Sequence, residues 1–283
     1  MKEIKEPENQ IGITIVDGFG RTVEVPRNPQ RIISIAPSTT EILFAIGLGD
    51  KVIGVDEYSD YPEEARDKQK IGSYLMPNIE LIVSLNPDLI LASDMTLKDS
   101  VTILEERGLT VVAFVPKNIP EIIQNIRLVG LVGNKTIEAN NLADDLEKRI
   151  NTITSKTSNS TLHRPMVYME YYPYWTFGPG SFGNDLISMA GGTNIAATTS
   201  AAYVEITNEF VVANNPEIIV FTASSMSSTF IEDISSRTGW EDTDAIKYNQ
   251  IYTIDDDIVV RPGPRIVDAL EQLAELFHPD LFS

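Results

Sequence analysis

The chain has 283 residues, no cysteine, 42% hydrophobic residues and a formal net charge of −19. This length is enough for one large domain or two smaller ones, and the hydrophobic fraction is ordinary for a globular protein. The charge argues against a nucleic-acid partner, because a phosphate backbone needs a basic surface. The lack of cysteine excludes disulfides, thiolate metal ligands and a thiol nucleophile. We interpret the acidity as a solubility feature, with docking onto a basic partner as the alternative.

The first ten residues, MKEIKEPENQ, contain no apolar segment of the kind found in a signal peptide. No other stretch has the roughly 18 to 20 apolar residues that a bilayer span requires. If the protein is exported, we therefore expect the targeting segment to be missing from this chain.

The first 117 residues alternate between strand and helix patterns. A turn at Asp17-Gly18 predicts a hairpin between two β-rich runs. The segment RIISIAPSTTEILFAIGLGDKVIGV then predicts strand, helix and strand, with Ser38 and Glu41 as a capping box at the start of the helix. Such alternation predicts an α/β lobe with a mostly parallel sheet.

One predicted helix–turn–strand element occurs twice in the sequence. NIELIVSLNPDLILAS begins at Asn78 and TNEFVVANNPEIIVFTAS begins at Thr207. Glu80 corresponds to Glu209 at an offset of 129 residues, and the Asn-Pro pairs correspond at the same offset. The proline in each copy predicts the end of a short helix and the start of a buried strand.

A second, weaker similarity precedes each copy of this element. TEILFAIG at residues 40–47 resembles NDLISMAG at residues 184–191, and each follows a turn that carries a serine, Ser38 or Ser181. Two elements repeated in the same order predict two similar α/β lobes that face each other across a cleft.

The middle of the chain has a different pattern. Residues 119–157 have helical spacing without a convincing strand, and Leu146 and Ile150 fall on one apolar face. A polar segment, TSKTSNSTLHRP, follows. We therefore predict an N-terminal lobe at residues 1–117, a helical connector at 118–160 and a C-terminal lobe at 161–283.

Catalytic constellations are hard to find in this sequence. His163 and His278 lie far from other metal ligands, and there is no P-loop and no Gly-x-Ser-x-Gly motif. We expect no catalytic residues and no metal site, so the sequence favours binding over chemistry.

Aromatic residues are concentrated in the predicted loops. Loops at the carboxyl ends of parallel strands surround the crevice in which such sheets bind ligands. We interpret these side chains as candidate ligand contacts, with packing of their own loops as the alternative for each one. They are Tyr58, Tyr61 and Tyr74 in the first lobe, and Tyr172, Tyr174, Trp175, Tyr203 and Trp240 in the second.

Four segments together resemble one protein family. They are RIISIAPSTTEILFAIGLGDKVIGVDEYSDYP, NIELIVSLNPDLILAS, SFGNDLISMAGGTNIA and RPGPRIVDALEQLAELFHP. In this order they are similar to the substrate-binding proteins of ABC importers for iron chelates, haem and cobalamin. The resemblance extends from Asp17-Gly18 to His278-Pro279. It implies an α/β fold of two similar lobes with mostly parallel sheets, joined by one long connecting helix, with a ligand cleft between them.

The resemblance gives the two matched glutamates a role. In that family, each lobe presents a surface glutamate that docks into an arginine pocket of the permease, and the corresponding positions are Glu80 and Glu209. The alternative is local, because a carboxylate in the first turn of a helix interacts favourably with the helix dipole by about 0.3–1 kcal/mol.

The resemblance leaves the ligand open. Cobalamin binders of the family hold the corrin between aromatic side chains, which correspond to Tyr58, Tyr74 and Tyr203. Two of these positions more usually carry tryptophan, and this departure weakens the cobalamin interpretation. Ferric-siderophore binders add arginines against anionic chelates, and Arg261 fits that role or that of a surface arginine before a helix.

Two further ligand classes remain from the resemblance. Haem binders supply an axial tyrosine or histidine, for which Tyr174 and Tyr252 are the candidates. Oxyanion binders, such as those for molybdate, use amides at helix starts, which Ser38, Thr39 and Ser181 could provide.

The resemblance finally implies partners and location. The protein would be an extracytoplasmic monomer, held at the membrane by a lipid anchor outside this chain. It would capture a cobalt corrinoid or a ferric chelate between its lobes and deliver it to a permease dimer with ATPase subunits. That ligand is cargo and not a prosthetic group. A ligand-sensing domain and an enzyme on a related scaffold are the alternatives.

Overall fold

Two α/β units contain the described part of the chain. The computed structural model describes residues 12–93, 95–159, 161–222, 234 and 236–282. The first unit comprises the described residues of Met1–Val115 and Asn125–Ala143, and the second those of Pro116–Gln124 and Asp144–Ser283.

The secondary structure of the described residues alternates as the sequence predicts. The strands are β1 (Ile13–Val16), β2 (Thr22–Val25), β3 (Ile32–Ser34), β4 (Val52–Val55), β5 (Gln69–Lys70), β6 (Leu89–Ser93), β7 (Val111–Phe114), β8 (Met166–Tyr172), β9 (Trp175–Phe177), β10 (Thr193–Asn194), β11 (Tyr203–Glu205), β12 (Ile218–Thr222) and β13 (Ile251–Ile254). The helices are α1 (Pro37–Ala45), α2 (Ile79–Ser84), α3 (Lys98–Glu106), α4 (Ile119–Val132), α5 (Thr136–Thr157), α6 (Phe182–Met189), α7 (Asn208–Asn214), α8 (Asp244–Lys247), α9 (Asp256–Val260), α10 (Ile266–Phe277) and α11 (Pro279–Phe282).

The first unit is built on a five-stranded parallel sheet in the order β5-β4-β3-β6-β7. Every residue of the interior strand β6 is buried, as expected for a strand covered on both faces. The predicted hairpin β1–β2 is confirmed. The buried Asp17 carboxylate accepts hydrogen bonds from the backbone N–H groups of Phe19 and Arg21 in the turn, and from that of Ala113 in β7. Asp17 therefore closes the turn and joins the hairpin to the sheet.

The second unit contains a six-stranded sheet in which β11-β9-β8-β12-β13 are neighbours and β10 also pairs with β8. The pairs β8–β12, β12–β13 and β8–β10 are parallel. The pairs β8–β9 and β9–β11 are antiparallel, because the chain turns back after β8 in a hairpin. The predicted α/β class with two mostly parallel sheets is confirmed.

The repeated sequence element forms the same structure in both units. α2 with β6 and α7 with β12 are helix–turn–strand elements at the predicted offset. In each turn the asparagine before proline has a left-handed backbone, with φ of 45° at Asn86 and 42° at Asn215. β6 pairs with β3 and β7, and β12 pairs in the same way with β8 and β13.

Residues 119–157 form two helices, α4 and α5, and no strand, which confirms the helical pattern. α5 has 22 residues, and its Arg149 pairs with Asp268 at 2.6 Å and Glu271 at 2.7 Å on α10. Each of the two helices contributes residues to both units. Within the described ranges, no helix combines the length and the apolar character that a membrane span needs.

The capping box predicted at Ser38 and Glu41 is wrong. The N-cap of α1 is Ala36, which makes no side-chain cap, and Pro37 is already helical. Proline suits the first helical position because its φ is fixed and its missing N–H would lack a partner there. The helix therefore begins before Ser38, and both Ser38 and Glu41 are buried inside its first turns.

Candidate functional site

The two matched glutamates occupy the same position in two equivalent helices. Glu80 and Glu209 are exposed, and each is the second residue after a capped N-terminus. Asn78 accepts a hydrogen bond from the N–H of Leu81, and Thr207 caps α7 in the corresponding way. Hydrogen bonds from the Thr207 hydroxyl and from its own backbone N–H lower the pKa of Glu209. Both carboxylates are therefore presented to solvent at a helix start, which is a favourable position for a negative charge.

Tyr58 and Tyr74 form a ring pair in the first unit. They follow the carboxyl ends of the neighbouring strands β4 and β5, and their ring centroids are 5.4 Å apart. Tyr58 is 54% exposed, whereas Tyr74 packs partly against the core. Burial, the neighbouring Tyr58 and the charge of Asp56 raise the pKa of Tyr74. The pair presents an aromatic surface at the edge where parallel sheets bind ligands.

A buried network positions the loop that carries Tyr58. The Asp56 carboxylate accepts hydrogen bonds from the backbone N–H of Tyr58, at 2.9 Å, and from the hydroxyl of Ser59. The Ser59 hydroxyl lies 2.8 Å from that of Thr40 on α1. Lys70 donates to the Ser59 carbonyl at 2.6 Å, and burial lowers the pKa of this lysine. This network was not predicted from the sequence, where the polar DEYSD run after β4 is its only signal.

Tyr203 belongs to an aromatic cluster in the second unit. Its ring centroid lies 6.3 Å from that of Tyr171 and 6.1 Å from that of Phe177, and Phe177 also packs against Phe182 at the start of α6. Tyr203 is 37% exposed. Burial raises the pKa of Tyr171 to about 12.

The hairpin between β8 and β9 carries three more aromatic residues, Tyr172, Tyr174 and Trp175. Tyr172 is 64% exposed, while Tyr174 and Trp175 are half-buried. Tyr174 has a left-handed backbone with φ of 65°, which is unusual for a bulky side chain. The Arg237 guanidinium lies 4.5 Å from the centroid of its ring.

Arg237 takes part in a buried charged group that the sequence analysis missed. Its two terminal nitrogens donate to the Glu170 carboxylate at 2.7 and 2.9 Å, and the Tyr168 hydroxyl donates to Glu170 at 2.6 Å. Burial acts to lower the pKa of Arg237, but Glu170 outweighs it and the pKa is raised. Burial and the Glu170 charge raise the pKa of Tyr168 well above its usual value. A lone carboxylate in the apolar run MVYMEYY was the one available signal.

Trp240, a predicted candidate for ligand contact, is buried in the structure. None of its surface is exposed, and it packs against Tyr168 and Phe221 in the core of the second unit. Its position in a polar, Gly-containing stretch suggested a loop residue, but Trp240 begins a short 3-10 turn that folds onto the sheet. Its role is packing.

Arg261 and Tyr252 are both engaged within the second unit. The Arg261 side chain is 10% exposed and pairs with Asp257 at 2.5 Å, while Arg265 lies 3.8 Å from the same carboxylate. Asp257 is also one of three adjacent acids whose ligand atoms lie within 4.8 Å of one another, at Asp255–Asp257. The Tyr252 hydroxyl donates to the Gln250 side chain at 2.5 Å.

The helix-start residues Ser38, Thr39 and Ser181 are buried. The Thr39 hydroxyl is bonded to that of Ser34, at 2.6 Å, and to the Ala36 carbonyl. Ser181 is the N-cap of α6: its hydroxyl accepts from the N–H of Asn184 and donates to a backbone carbonyl. Thr39 and Ser181 therefore use their hydroxyls in the fold.

The chain belongs to the periplasmic binding protein family, whose model matches residues 32–258. It is 31% identical to an uncharacterised ABC transporter substrate-binding lipoprotein, YvrC, of Bacillus subtilis, over 98% of this chain and 89% of that protein. It is 30% identical to the vitamin B12-binding protein of Vibrio cholerae, over 88% of this chain and 89% of the relative. Among solved structures, the periplasmic heme-binding protein RhuT of Roseiflexus, in its apo form, is similar with a TM-score of 0.81 and 25% identity, over 89% of this chain and 99% of that one. The resemblance that the four segments suggested is confirmed.

Proposed function

We propose that this chain is the extracytoplasmic substrate-binding protein of an ABC importer, and that its cargo is a corrinoid or a ferric chelate. The observation that carries the proposal is the pair of partly exposed tyrosine groups, Tyr58 with Tyr74 in one unit and Tyr203 with its neighbours in the other. Aromatic rings suit a large, flat, largely apolar cargo, because they offer much contact area at a low cost in conformational entropy.

The relatives support this class of cargo. One of those described above is named as a vitamin B12-binding protein, and one similar structure is that of a heme-binding protein. Haem is therefore the second candidate, with Tyr174 or Tyr252 as the proposed axial ligand. An oxyanion is the third candidate, through the backbone amides at the starts of α1 and α6, where Ser38, Thr39 and Ser181 lie.

The test is a calorimetric titration with cyanocobalamin, cobinamide, haem, ferric siderophores and molybdate. We expect binding of a corrinoid or a ferric chelate, and no chemical turnover of the bound ligand. Binding of haem alone would select the second candidate. A titration in which none of these compounds binds would contradict the proposal.

Variants of the tyrosines test which surface binds the cargo. We expect Tyr58→Ala and Tyr203→Ala each to weaken binding by about tenfold or more, since each loses a large aromatic contact. Tyr248→Ala is the control: Tyr248 is 71% exposed and precedes β13, at the amino end of the parallel strands. Equal affinities for all three variants would contradict the assignment of the tyrosines as ligand contacts.

We also propose that Glu80 and Glu209 dock onto the permease of this importer. Their exposure and their equivalent positions support this role. An acidic protein with one carboxylate at the same place in each unit fits a partner with two basic sites. A lipid anchor and a monomeric state remain predictions from the family resemblance.

A further inference from the structure

The ion pair of Glu170 and Arg237 is the most deeply buried pair of opposite charges that the described residues of the second unit contain. Their side chains are 0% and 5% exposed. The contact is bidentate, with N–O distances of 2.7 and 2.9 Å. Two parallel N–H bonds fix the plane of the guanidinium as well as its position.

The guanidinium connects the core of the unit to the tip of the β8–β9 hairpin. It lies 4.6 Å from the Trp240 ring centroid, which is in the core, and 4.5 Å from that of Tyr174, which is at the hairpin. Tyr174 needs such support, because its left-handed backbone is unfavourable for a residue with a bulky side chain. One further hydrogen bond holds the tip, from the N–H of Ile206 to the Tyr174 carbonyl at 2.9 Å.

Stability alone does not account for a buried pair of this kind. Removing two charges from water is costly, and apolar residues of similar volume often stabilise a core equally well. What an apolar substitute cannot supply is a planar cation held in one orientation beside an aromatic ring. Glu170 lies on β8, and Arg237 lies shortly before the 3-10 turn that begins at Trp240. The hairpin that the pair supports follows the carboxyl end of β8, where such sheets bind ligands.

We propose that Glu170 and Arg237 are positioning residues that hold Tyr174, and with it the hairpin bearing Trp175, in the conformation that receives the cargo. The inference rests on the proposed function. Arg237 acts on the ring of Tyr174, and Glu170 acts through Arg237. The cargo class is the same flat, metal-bearing chelate.

The first test needs no ligand. The chain has two tryptophans, one at the hairpin and one in the core, so protein labelled with 5-fluorotryptophan has two fluorine resonances. Trp175→Phe and Trp240→Phe variants assign them. We expect Glu170→Gln, which keeps the size of the side chain, to shift or broaden the Trp175 resonance. An unchanged Trp175 resonance would overturn the inference.

The second test separates positioning from stability. The combined variant Tyr168→Phe, Glu170→Met and Arg237→Met replaces all three side chains, so none of the three is left as a buried polar group without the other two. We expect its unfolding midpoint to exceed that of Arg237→Met alone. If the pair positions the hairpin, affinity for cyanocobalamin, or for haem if only haem binds, stays reduced by about tenfold. A combined variant with wild-type affinity and a wild-type Trp175 resonance would overturn the inference.

Arg149→Met is the matched control. It removes another arginine that pairs with carboxylates in the same unit, on α5 and α10. We expect it to lower the unfolding midpoint and to leave the Trp175 resonance and the affinity unchanged. If the wild-type protein binds neither probe, the proposed function fails. The fluorine spectra then decide separately whether the pair holds the hairpin.

Discussion

At the scale of single residues, His278 and Gly191 show how the sequence alone can mislead. The sequence placed His278 near the C-terminus with no evident role. The structure buries it, and its Nε2 atom lies 3.1 Å from the Gly191 carbonyl. Gly191 has a φ of 92°, and a Cβ at this position would lie 2.4 Å from the same ring nitrogen. The contact requires both the backbone conformation and the missing side chain of glycine.

We expect Gly191→Ala to lower the free energy of unfolding by about 3 kcal/mol, because it adds an overpacked contact to the strain of a left-handed alanine. Gly180→Ala is the control, since Gly180 also has positive φ, at 79°, but nothing lies within 4 Å of an added Cβ. It should cost only about 1 kcal/mol. Urea unfolding of the two variants measures the difference, and equal losses would contradict the steric part of the argument.

Polar residues in the interior are the part of the candidate site that the sequence could not predict. Glu170 is a lone carboxylate in the apolar run MVYMEYY, but nothing in the sequence indicates that its partner is Arg237, 67 residues later. Trp240 was assigned to a loop because its neighbours are polar. Its burial depends on contacts with β8 and β12 that are distant in sequence. Long-range pairing of this kind leaves no periodic pattern.

At the scale of elements, the repeat was the strongest prediction and the structure confirms it. Apolar spacing, the Asn-Pro break and a buried strand are all local signals, so they predict the helix–turn–strand element without knowledge of the rest of the fold. The predicted start of α1 was wrong for a local reason too. Proline occupies the first helical position, so the helix begins before the serine that was expected to cap it.

The side chains of the two turn asparagines differ in their hydrogen bonding, and this difference is testable. The Asn215 side chain accepts a bond from the N–H of Asp244 at 2.8 Å, whereas the Asn86 side chain has no corresponding bond within the described residues. Glycine tolerates the left-handed backbone of both positions. We expect Asn215→Gly to be less stable than Asn86→Gly by about 1 kcal/mol, measured by urea unfolding. Equal stabilities would show that this side-chain bond contributes nothing net.

At the scale of the whole molecule, sequence patterns predicted the class and not the cargo. The order of helices and strands defines two α/β units, and the family match over residues 32–258 follows from the same features. The choice of cargo depends on which side chains reach the ligand, and their placement depends on contacts between residues that are distant in the sequence, such as Glu170 and Arg237. For Glu80 and Glu209, the helix-start position was predictable from the sequence, whereas the docking role remains a proposal because it depends on another molecule.

The docking proposal leads to the last prediction. We expect the double variant Glu80→Arg with Glu209→Arg to abolish uptake of the cargo by cells that carry the importer, because a reversed charge repels a basic site on the partner. Ligand affinity, measured by calorimetry, should be unchanged, since both residues are exposed at helix starts. Glu106→Arg with Glu241→Arg is the control, as both of these glutamates are exposed as well and the net charge changes equally. Uptake lost in both double variants would mean that overall charge, and not docking at two matched points, governs delivery. A loss of ligand affinity in the first variant would place its glutamates in the binding site and contradict the docking role.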